Sequence, residues 1–177
     1  MTEYSLPLLG FAAYSGTGKT TLLSKLIPLL KTKGYRIGVI KHTHHNIDID
    51  KPGKDSFVLR ESGASQIVIA SRNRTATIIE QPLEREEPLL SDALKNLQPE
   101  LLDFVLVEGF KHANLQKIEL HREALGKPYL FPDDSNIIAI AVDHDIDEKT
   151  SPTRLDLNKP QQIVEFIEDI ILKGTSK

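Results

Sequence analysis

Short apolar runs alternate with polar segments along the chain, and the first two runs enclose a stretch of helical periodicity. Residues 8–13 are apolar and predict a strand, residues 20–33 carry leucines at helical spacing, and residues 36–41 again predict a strand. These three segments predict one β-α-β unit. Pro28 lies inside the predicted helix, where it removes an internal hydrogen bond, so we expect a kink there or a break near Ile27.

The middle of the chain predicts a short helix followed by a pair of strands. The helix is expected from about Asp55 to Ser62, with Asp55 or Ser56 as its cap. The segments "SQIVIAS" (65–71) and "TATIIE" (75–80) are rich in β-branched residues and are separated by "RNR". They therefore predict two adjacent strands that form a hairpin.

The second half of the chain holds the most apolar of the predicted strands. The run "DFVLVE" (103–108) is typical of a strand buried on both faces of a parallel sheet, and its first residue, Asp103, is expected to be structural. The other predicted elements are a helix over 88–97, strands over 117–120 and 136–142, and a final helix that Asn158 caps. One apolar stripe of that final helix consists of Ile163, Phe166, Ile167, Ile170 and Ile171.

Composition narrows the class of protein. The 177 residues are 40% hydrophobic and 27% charged, which predicts a single domain over residues 1–177. The net charge of -3 provides no bulk attraction to nucleic acid or to membranes, so neither is expected as a partner. The absence of cysteine excludes disulfides and thiolate chemistry. The N-terminus lacks the pattern of an export signal, and we expect a soluble, cytoplasmic protein.

A glycine-rich segment lies between the first predicted strand and the first predicted helix. The residues "AYSGTGKT" (13–20) follow the phosphate-loop pattern G-x-x-x-x-G-K-[ST], with alanine at its first position. In such a loop backbone N–H groups and a lysine bind phosphates, and a hydroxyl binds Mg²⁺. The alternative is a turn that binds no ligand. Glycines lose more conformational entropy on folding than other residues do, and a turn without a ligand would gain nothing that offsets this cost. The expected nucleotide-binding residues are Ser15, Gly16, Thr17, Gly18, Lys19, Thr20 and Thr21.

An acid at the end of a neighbouring buried strand usually completes the magnesium shell beside a phosphate loop. Glu108 closes the apolar run "DFVLV", and Gly109 after it lets the chain turn away. Thr20 and Glu108 are therefore the expected Mg²⁺ ligands, and the alternative for Glu108 is a carboxylate that faces solvent.

The segment "KHTHHNIDIDKPGKDS" (41–56) begins at the carboxyl end of the second predicted strand, where ligands of open α/β sheets bind. Three interpretations remain open: binding of a second anion, binding of zinc or nickel by the histidines and aspartates, or a solvated loop. The candidates for a second anion are Lys41, His42, Lys51 and Lys54. The pattern assigns a catalytic role to no single residue, and the candidates for such a role are Lys41, Asp48 and Asp50.

Three motifs in this order resemble a known family. "GFAAYSGTGKTTLL", "GVIKHTHHNIDIDKPGKDS" and "LVEGFKH" are similar to the molybdopterin-guanine dinucleotide biosynthesis adaptor proteins, which are small bacterial GTP-binding proteins. The resemblance covers about the first two-thirds of the chain. It assigns residues 15–21 to the nucleotide loop and Glu108 to the magnesium side, and it makes a pterin the second possible ligand of Lys41, His42, Lys51 and Lys54.

The resemblance also implies a fold, cofactors and partners. The implied fold is α/β and phosphate-loop NTPase-like, with a mostly parallel sheet flanked by helices and an added β-hairpin. The implied cofactors are GTP and Mg²⁺. The implied partners are a molybdopterin guanylyltransferase, molybdopterin or its guanine dinucleotide, and a second copy of the chain in a homodimer.

The residues themselves do not determine which nucleotide base the protein binds or which reaction it catalyses. The N-K-x-D pattern that reads guanine in many GTPases is absent, and Asp143 in "AVDHD" either reads the base or caps a turn. No efficient general base or water-positioning glutamine stands out, so we expect at most a slow GTPase. The alternatives are a nickel or zinc metallochaperone GTPase and a small-molecule kinase or ligase.

Overall fold

The chain folds as two units, of which the larger carries a parallel sheet. The computed structural model describes residues 4–43, 49–81, 87–146 and 152–174. The larger unit comprises Met1–His42 with Leu89–Lys177, and the smaller comprises Thr43–Pro88. The expectation of a single domain stays a prediction.

In chain order the elements are β1 (Leu8–Ala12), α1 (Lys19–Thr32), β2 (Ile37–Lys41), α2 (Asp55–Glu61), β3 (Gln66–Ala70), β4 (Thr75–Ile79), α3 (Leu90–Leu94), β5 (Phe104–Glu108), β6 (Lys117–His121), β7 (Ile137–Val142), β8 (Thr153–Asp156) and α4 (Pro160–Gly174). The main sheet has the order β2-β5-β1-β6-β7-β8, and its neighbouring strands are parallel. The α/β class and the mostly parallel sheet are confirmed. Since β5 and β6 both pair with β1, the segment after β1 lies at the middle of the sheet's carboxyl edge.

Burial of apolar residues on both faces stabilises this sheet. Helices α1 and α4 pack together over one face, where they bury leucines and isoleucines against Phe11, Phe104 and Ile118. On the other face Leu94 packs with Val105 of β5. Every residue of β5 is buried, as its continuous apolar run predicts. The two cores hold the loops at the carboxyl edge on rigid strands.

Helix α1 is not broken near Ile27, because one helix continues through Pro28. The expected kink at Pro28 stays a prediction. Pro28 is exposed, whereas Leu26 and Leu30 on the opposite face are fully buried. Burial of the leucine face outweighs the loss of one internal hydrogen bond. The helix also begins one residue earlier than expected, at Lys19.

The smaller unit contains the expected hairpin, in which β3 and β4 pair antiparallel with Ile67 opposite Ile78. Helix α2 precedes the hairpin, and its cap position is Lys54 with no side-chain hydrogen bond. The expectation that Asp55 or Ser56 caps this helix was therefore wrong. Asp55 instead lies in the first turn, where a carboxylate interacts favourably with the helix dipole.

Two further expectations about element ends were wrong. Helix α3 is shorter than the predicted span over 88–97. Helix α4 begins at Pro160, two residues beyond Asn158, whose backbone N–H is bonded to the Asp156 carboxylate at 2.8 Å. Asn158 thus belongs to a turn after β8, a short edge strand that the sequence pattern did not predict. The apolar stripe of α4 does face the core, where Ile163 and Ile167 are fully buried.

No helix among the described residues is long and apolar enough to cross a membrane.

Candidate phosphate-binding site

The loop between β1 and α1 has a conformation that glycine permits. Gly16 and Gly18 adopt φ values of 82° and 97°, a left-handed region that other residues rarely occupy. The buried Thr17 hydroxyl donates to the Tyr14 carbonyl at 2.9 Å and closes the turn. Gly18 precedes α1 without a side-chain cap, so the first N–H groups of the helix are left for solvent or an anion.

Lys19 folds back over the loop that precedes it. Its Nζ donates to the Ala13 carbonyl at 2.9 Å and to the Tyr14 carbonyl at 3.4 Å. Burial lowers the pKa of Lys19, the nearby charge of Lys41 lowers it further, and Glu108 opposes both effects. An anion beside Nζ would favour the charged form, so this environment suits phosphate binding.

Sheet register brings Thr20, Lys41 and Glu108 together at the carboxyl edge. Lys41, the last residue of β2, lies opposite Glu108, the last residue of β5. The Thr20 hydroxyl donates to Glu108 Oε1 at 3.1 Å, and Lys41 Nζ lies 3.6 Å from the same oxygen. The Thr20 hydroxyl and the Glu108 carboxylate thus lie together beside the loop, and Mg²⁺ prefers oxygen ligands of these kinds.

The chain turns sharply after Glu108, which keeps this carboxylate at the edge. Gly109 has a φ of 90°, and a Cβ at this position would lie 2.6 Å from the His42 Cβ. The His42 backbone N–H donates to the Glu108 carbonyl at 2.8 Å, and its ring lies 4.9 Å from the Phe110 ring. His42, a candidate for anion binding, therefore packs against the turn that carries Glu108.

A cavity of about 340 Å³ joins the loop to Glu108. The cavity is lined by Ser15, Gly16, Gly18, Lys19, Thr20, Thr21 and Glu108. The structure thus brings together nearly all of the residues expected to bind nucleotide and Mg²⁺. Thr17 differs from the others, because its side chain is turned into the protein.

The sequence patterns did not predict a role for Arg122, which follows β6 and contacts the phosphate loop. Its Nε donates to the Thr17 carbonyl at 3.0 Å, and its Nη1 donates to Asp143 Oδ2 at 3.1 Å. Asp143 also accepts the Glu123 backbone N–H at 3.2 Å, so it organises the turn after β6. Burial alone would raise the pKa of Asp143, but hydrogen bonds from His144, Glu123 and Arg122 together lower it.

The remaining candidates belong to the smaller unit or lie outside the described residues. Asp50, a catalytic candidate, is buried, and its carboxylate forms an ion pair with Arg60 at 3.1 Å. This pairing is typical of a residue that stabilises the fold. Lys51 and Lys54 are exposed in this unit. Asp48, His44 and His45 lie outside the described residues. Among the residues that the structure does describe, no group of three or more His, Asp or Glu side chains is arranged to hold a metal.

Most of the chain matches a known protein family. The family model for molybdopterin guanine dinucleotide synthesis protein B, MobB, matches residues 8–143. The chain belongs to the MobB family. It is 45% identical over 169 residues to the molybdopterin-guanine dinucleotide biosynthesis adapter protein of Escherichia coli K12, with 95% of each chain covered. It is 44% identical to the Haemophilus influenzae protein of the same name, with 93% of this chain and 89% of the relative covered.

Solved MobB structures share the fold. A crystal structure of molybdopterin-guanine biosynthesis protein B superposes with a TM-score of 0.70 at 27% identity and covers 92% of this chain and 99% of its own. A MobB homologue from Bacillus stearothermophilus superposes with a TM-score of 0.68 at 21% identity, covering 94% and 98%. The family resemblance and the phosphate-loop NTPase-like fold are confirmed, and the chain is a MobB adapter of molybdopterin guanine dinucleotide biosynthesis.

Proposed function

We propose that this MobB protein binds GTP with Mg²⁺ and in that state assists the molybdopterin guanylyltransferase that attaches GMP to molybdopterin. The observation that carries the proposal is the contact between Thr20 and Glu108, because it joins two oxygen donors to a phosphate loop. The names of the relatives support the pathway. We further propose that the protein acts in the cytoplasm.

Each group at the site has a distinct part in this proposal. The first N–H groups of α1 and Lys19 bind the β- and γ-phosphates. Thr20 and Glu108 hold Mg²⁺, which neutralises charge between those phosphates. Lys41, 55% exposed beside Glu108, adds a cation that can meet a terminal phosphate or the anionic pterin. His42, Lys51 and Lys54 remain proposed contacts for the pterin.

Slow hydrolysis fits the chemistry of the cavity. Among the described residues that line it, Glu108 is the one carboxylate, and no glutamine is present to orient a water. Because Glu108 already accepts from Thr20 and is assigned to Mg²⁺, it is a poor general base. We propose that the protein is at most a weak GTPase and that the bound nucleotide controls contact with its partner.

Exposed apolar side chains in the smaller unit support the proposed homodimer. Val58 and Leu59 of α2 are 56% and 58% exposed, and Val68 and Ile69 of β3 are 64% and 40% exposed. Because side chains alternate along a strand, Val68 and Ile69 point to opposite faces of the hairpin, and the proposed contact uses the face that carries Val68. Large exposed apolar side chains often take part in protein contacts, and a second copy of the chain is the occupant that we propose.

Nucleotide titration tests the proposal directly. We expect the parent to bind GTP more tightly than ATP, and Mg²⁺ to strengthen binding. Lys19→Ala should abolish binding, whereas Lys25→Ala, an exposed lysine on the same helix, should bind as the parent does. Parent-like GTP binding by Lys19→Ala would show that the loop is not the nucleotide site. Fast phosphoryl transfer to a small acceptor would instead favour a kinase.

A further inference from the structure

Arg122 and Glu108 lie on opposite sides of the phosphate loop. Strand β1 leads into the loop, β5 with Glu108 pairs on one side of β1, and β6 pairs on the other. Arg122 immediately follows β6, and its Nε bond to the Thr17 carbonyl attaches it to the loop. The loop therefore has a magnesium side, with Glu108, and a second side that is defined by Arg122.

The guanidinium of Arg122 is held in a fixed plane. The Thr17 carbonyl in the phosphate loop accepts from its Nε, and Asp143 at the end of β7 accepts from its Nη1, so two acceptors from separate segments define the orientation of the group. Asp143 is itself fixed by the Glu123 N–H and lies 3.2 Å from His144 Nδ1. The Arg122 side chain is nevertheless 38% exposed, so part of the plane is accessible.

A second cavity continues from this pair along the carboxyl edge. It has a volume of about 210 Å³ and begins at Asp143, at the end of β7. The cavity is lined by Val142, Asp143, His144, Asp145, Arg154, Asp156 and Asn158. Within the described part of the chain, Arg122 links the phosphate loop to a residue that lines this second cavity.

We propose that Arg122 positions the nucleoside of the bound nucleotide and that Asp143 acts by orienting Arg122 rather than by reading the base. The inference rests on the proposed GTP binding. Thr20 and Glu108, through Mg²⁺, and Lys41 hold the terminal phosphates on one side of the loop, so the nucleoside leaves on the side of Arg122. There the planar guanidinium, whose charge Asp143 partly balances, contacts the ribose and the face of the base.

Binding of two ligands separates this role from simple support of the loop. GTP and inorganic tripolyphosphate, both with Mg²⁺, are titrated into the parent, Arg122→Gln and Arg122→Lys. Arg36→Gln is the matched control, because Arg36 pairs with Asp103 at 2.7 Å at the amino end of β5, at the opposite edge of the sheet. Circular dichroism of each variant establishes that it is folded.

We expect Arg122→Gln and Arg122→Lys to weaken GTP binding by about 10-fold, a loss between those of an exposed and a desolvated cation–π contact, while tripolyphosphate binding changes by less than about 3-fold. Arg122→Lys keeps the charge and a donor for Thr17. A loss of GTP affinity in this variant would therefore identify the planar guanidinium as the necessary feature. Asp143→Asn should cause a smaller loss for GTP alone, and Arg36→Gln should match the parent for both ligands.

Two results would overturn the inference while leaving the proposed function in place. Equal losses for GTP and tripolyphosphate would mean that Arg122 only braces the phosphate loop. Parent-like GTP binding by both Arg122 variants would mean that it has no role in the site. If the parent itself bound neither ligand, the proposed function and this inference would both be wrong.

Discussion

Thr20 donates a hydrogen bond to Glu108 at 3.1 Å, although 88 positions separate the two residues in the sequence. The contact arises because β1 and β5 are parallel neighbours, with Phe11 opposite Glu108, and the loop after β1 returns to the same edge at Thr20. The fold thus brings together two side chains whose oxygen atoms can bind Mg²⁺, although the two residues are far apart in the sequence.

Glu108→Gln should remove most of the Mg²⁺ dependence of GTP binding. Glutamine can still accept from Thr20, but it has no charge for the metal, so we expect GTP affinity with Mg²⁺ to fall by about 10-fold or more. Calorimetric titration with and without Mg²⁺ measures the effect. Glu165→Gln, an exposed position on α4, should behave as the parent. An unchanged Mg²⁺ effect in Glu108→Gln would remove Glu108 from the metal site.

Gly109→Ala should destabilise the protein more than alanine at another left-handed glycine. A Cβ at Gly109 would lie 2.6 Å from the His42 Cβ at a φ of 90°, whereas one at Gly126, with a φ of 56°, would meet nothing within 4 Å. We expect a loss of about 2 to 4 kcal/mol in the free energy of unfolding for Gly109→Ala and about 1 kcal/mol for Gly126→Ala. Urea denaturation compares them, and equal losses would show that the close approach to His42 has no energetic weight.

Lys117→Met should be strongly destabilising. Lys117 is 2% exposed, and its Nζ donates to Asp134 at 2.7 Å and to the Lys111 carbonyl at 2.8 Å. The substitution leaves Asp134 without its ion pair, so we expect a loss of about 2 to 4 kcal/mol in the free energy of unfolding. Adding Asp134→Asn should recover part of the loss, because the unpaired charge is gone. A double variant with the two single losses simply summed would contradict this coupling.

Acid should weaken the contact between Asp103 and Arg36. The side-chain hydrogen bond from Arg36, followed by its backbone N–H, lowers the pKa of Asp103. A carboxyl whose pKa is lowered in the folded state stabilises the fold above its unfolded pKa of about 3.9 and loses this effect as the pH falls through the folded value. Asp103→Asn should therefore lower the unfolding midpoint at pH 7, and by progressively less as the pH falls below about 3.9. A loss that stays the same as the pH falls would assign the effect to packing.

Val68→Lys should separate the proposed homodimer into monomers. Val68 is 64% exposed on β3, and a lysine there would place a charge in an apolar contact at a cost that a monomer does not bear. Sedimentation velocity over a range of protein concentrations measures the shift. The control is Glu165→Lys, which adds positive charge at an exposed position on α4. A dimer that persists unchanged in Val68→Lys would exclude Val68 from the interface.

Strand and helix positions could be predicted where one local pattern dominates. The apolar run of β5 and the β-branched hairpin were expected from sequence, and both are present in the structure. The helix does not break near Ile27, since the local cost of Pro28 is smaller than the gain from burying the leucines on the other side of α1. The edge strand β8 has only four residues and a weak pattern, so its formation depends on pairing with β7.

The sequence by itself determined the β-α-β unit and the residues of the phosphate loop, because glycines, a lysine and a threonine at fixed spacing act through local backbone geometry. It also indicated that an acid would end a neighbouring strand, and Glu108 does so. Only the tertiary structure decided that Glu108 lies on one side of the phosphate loop and Arg122 on the other. Arg122 and Asp143 meet through the order of parallel strands, and that order depends on burial across the whole sheet, which local spacing does not encode.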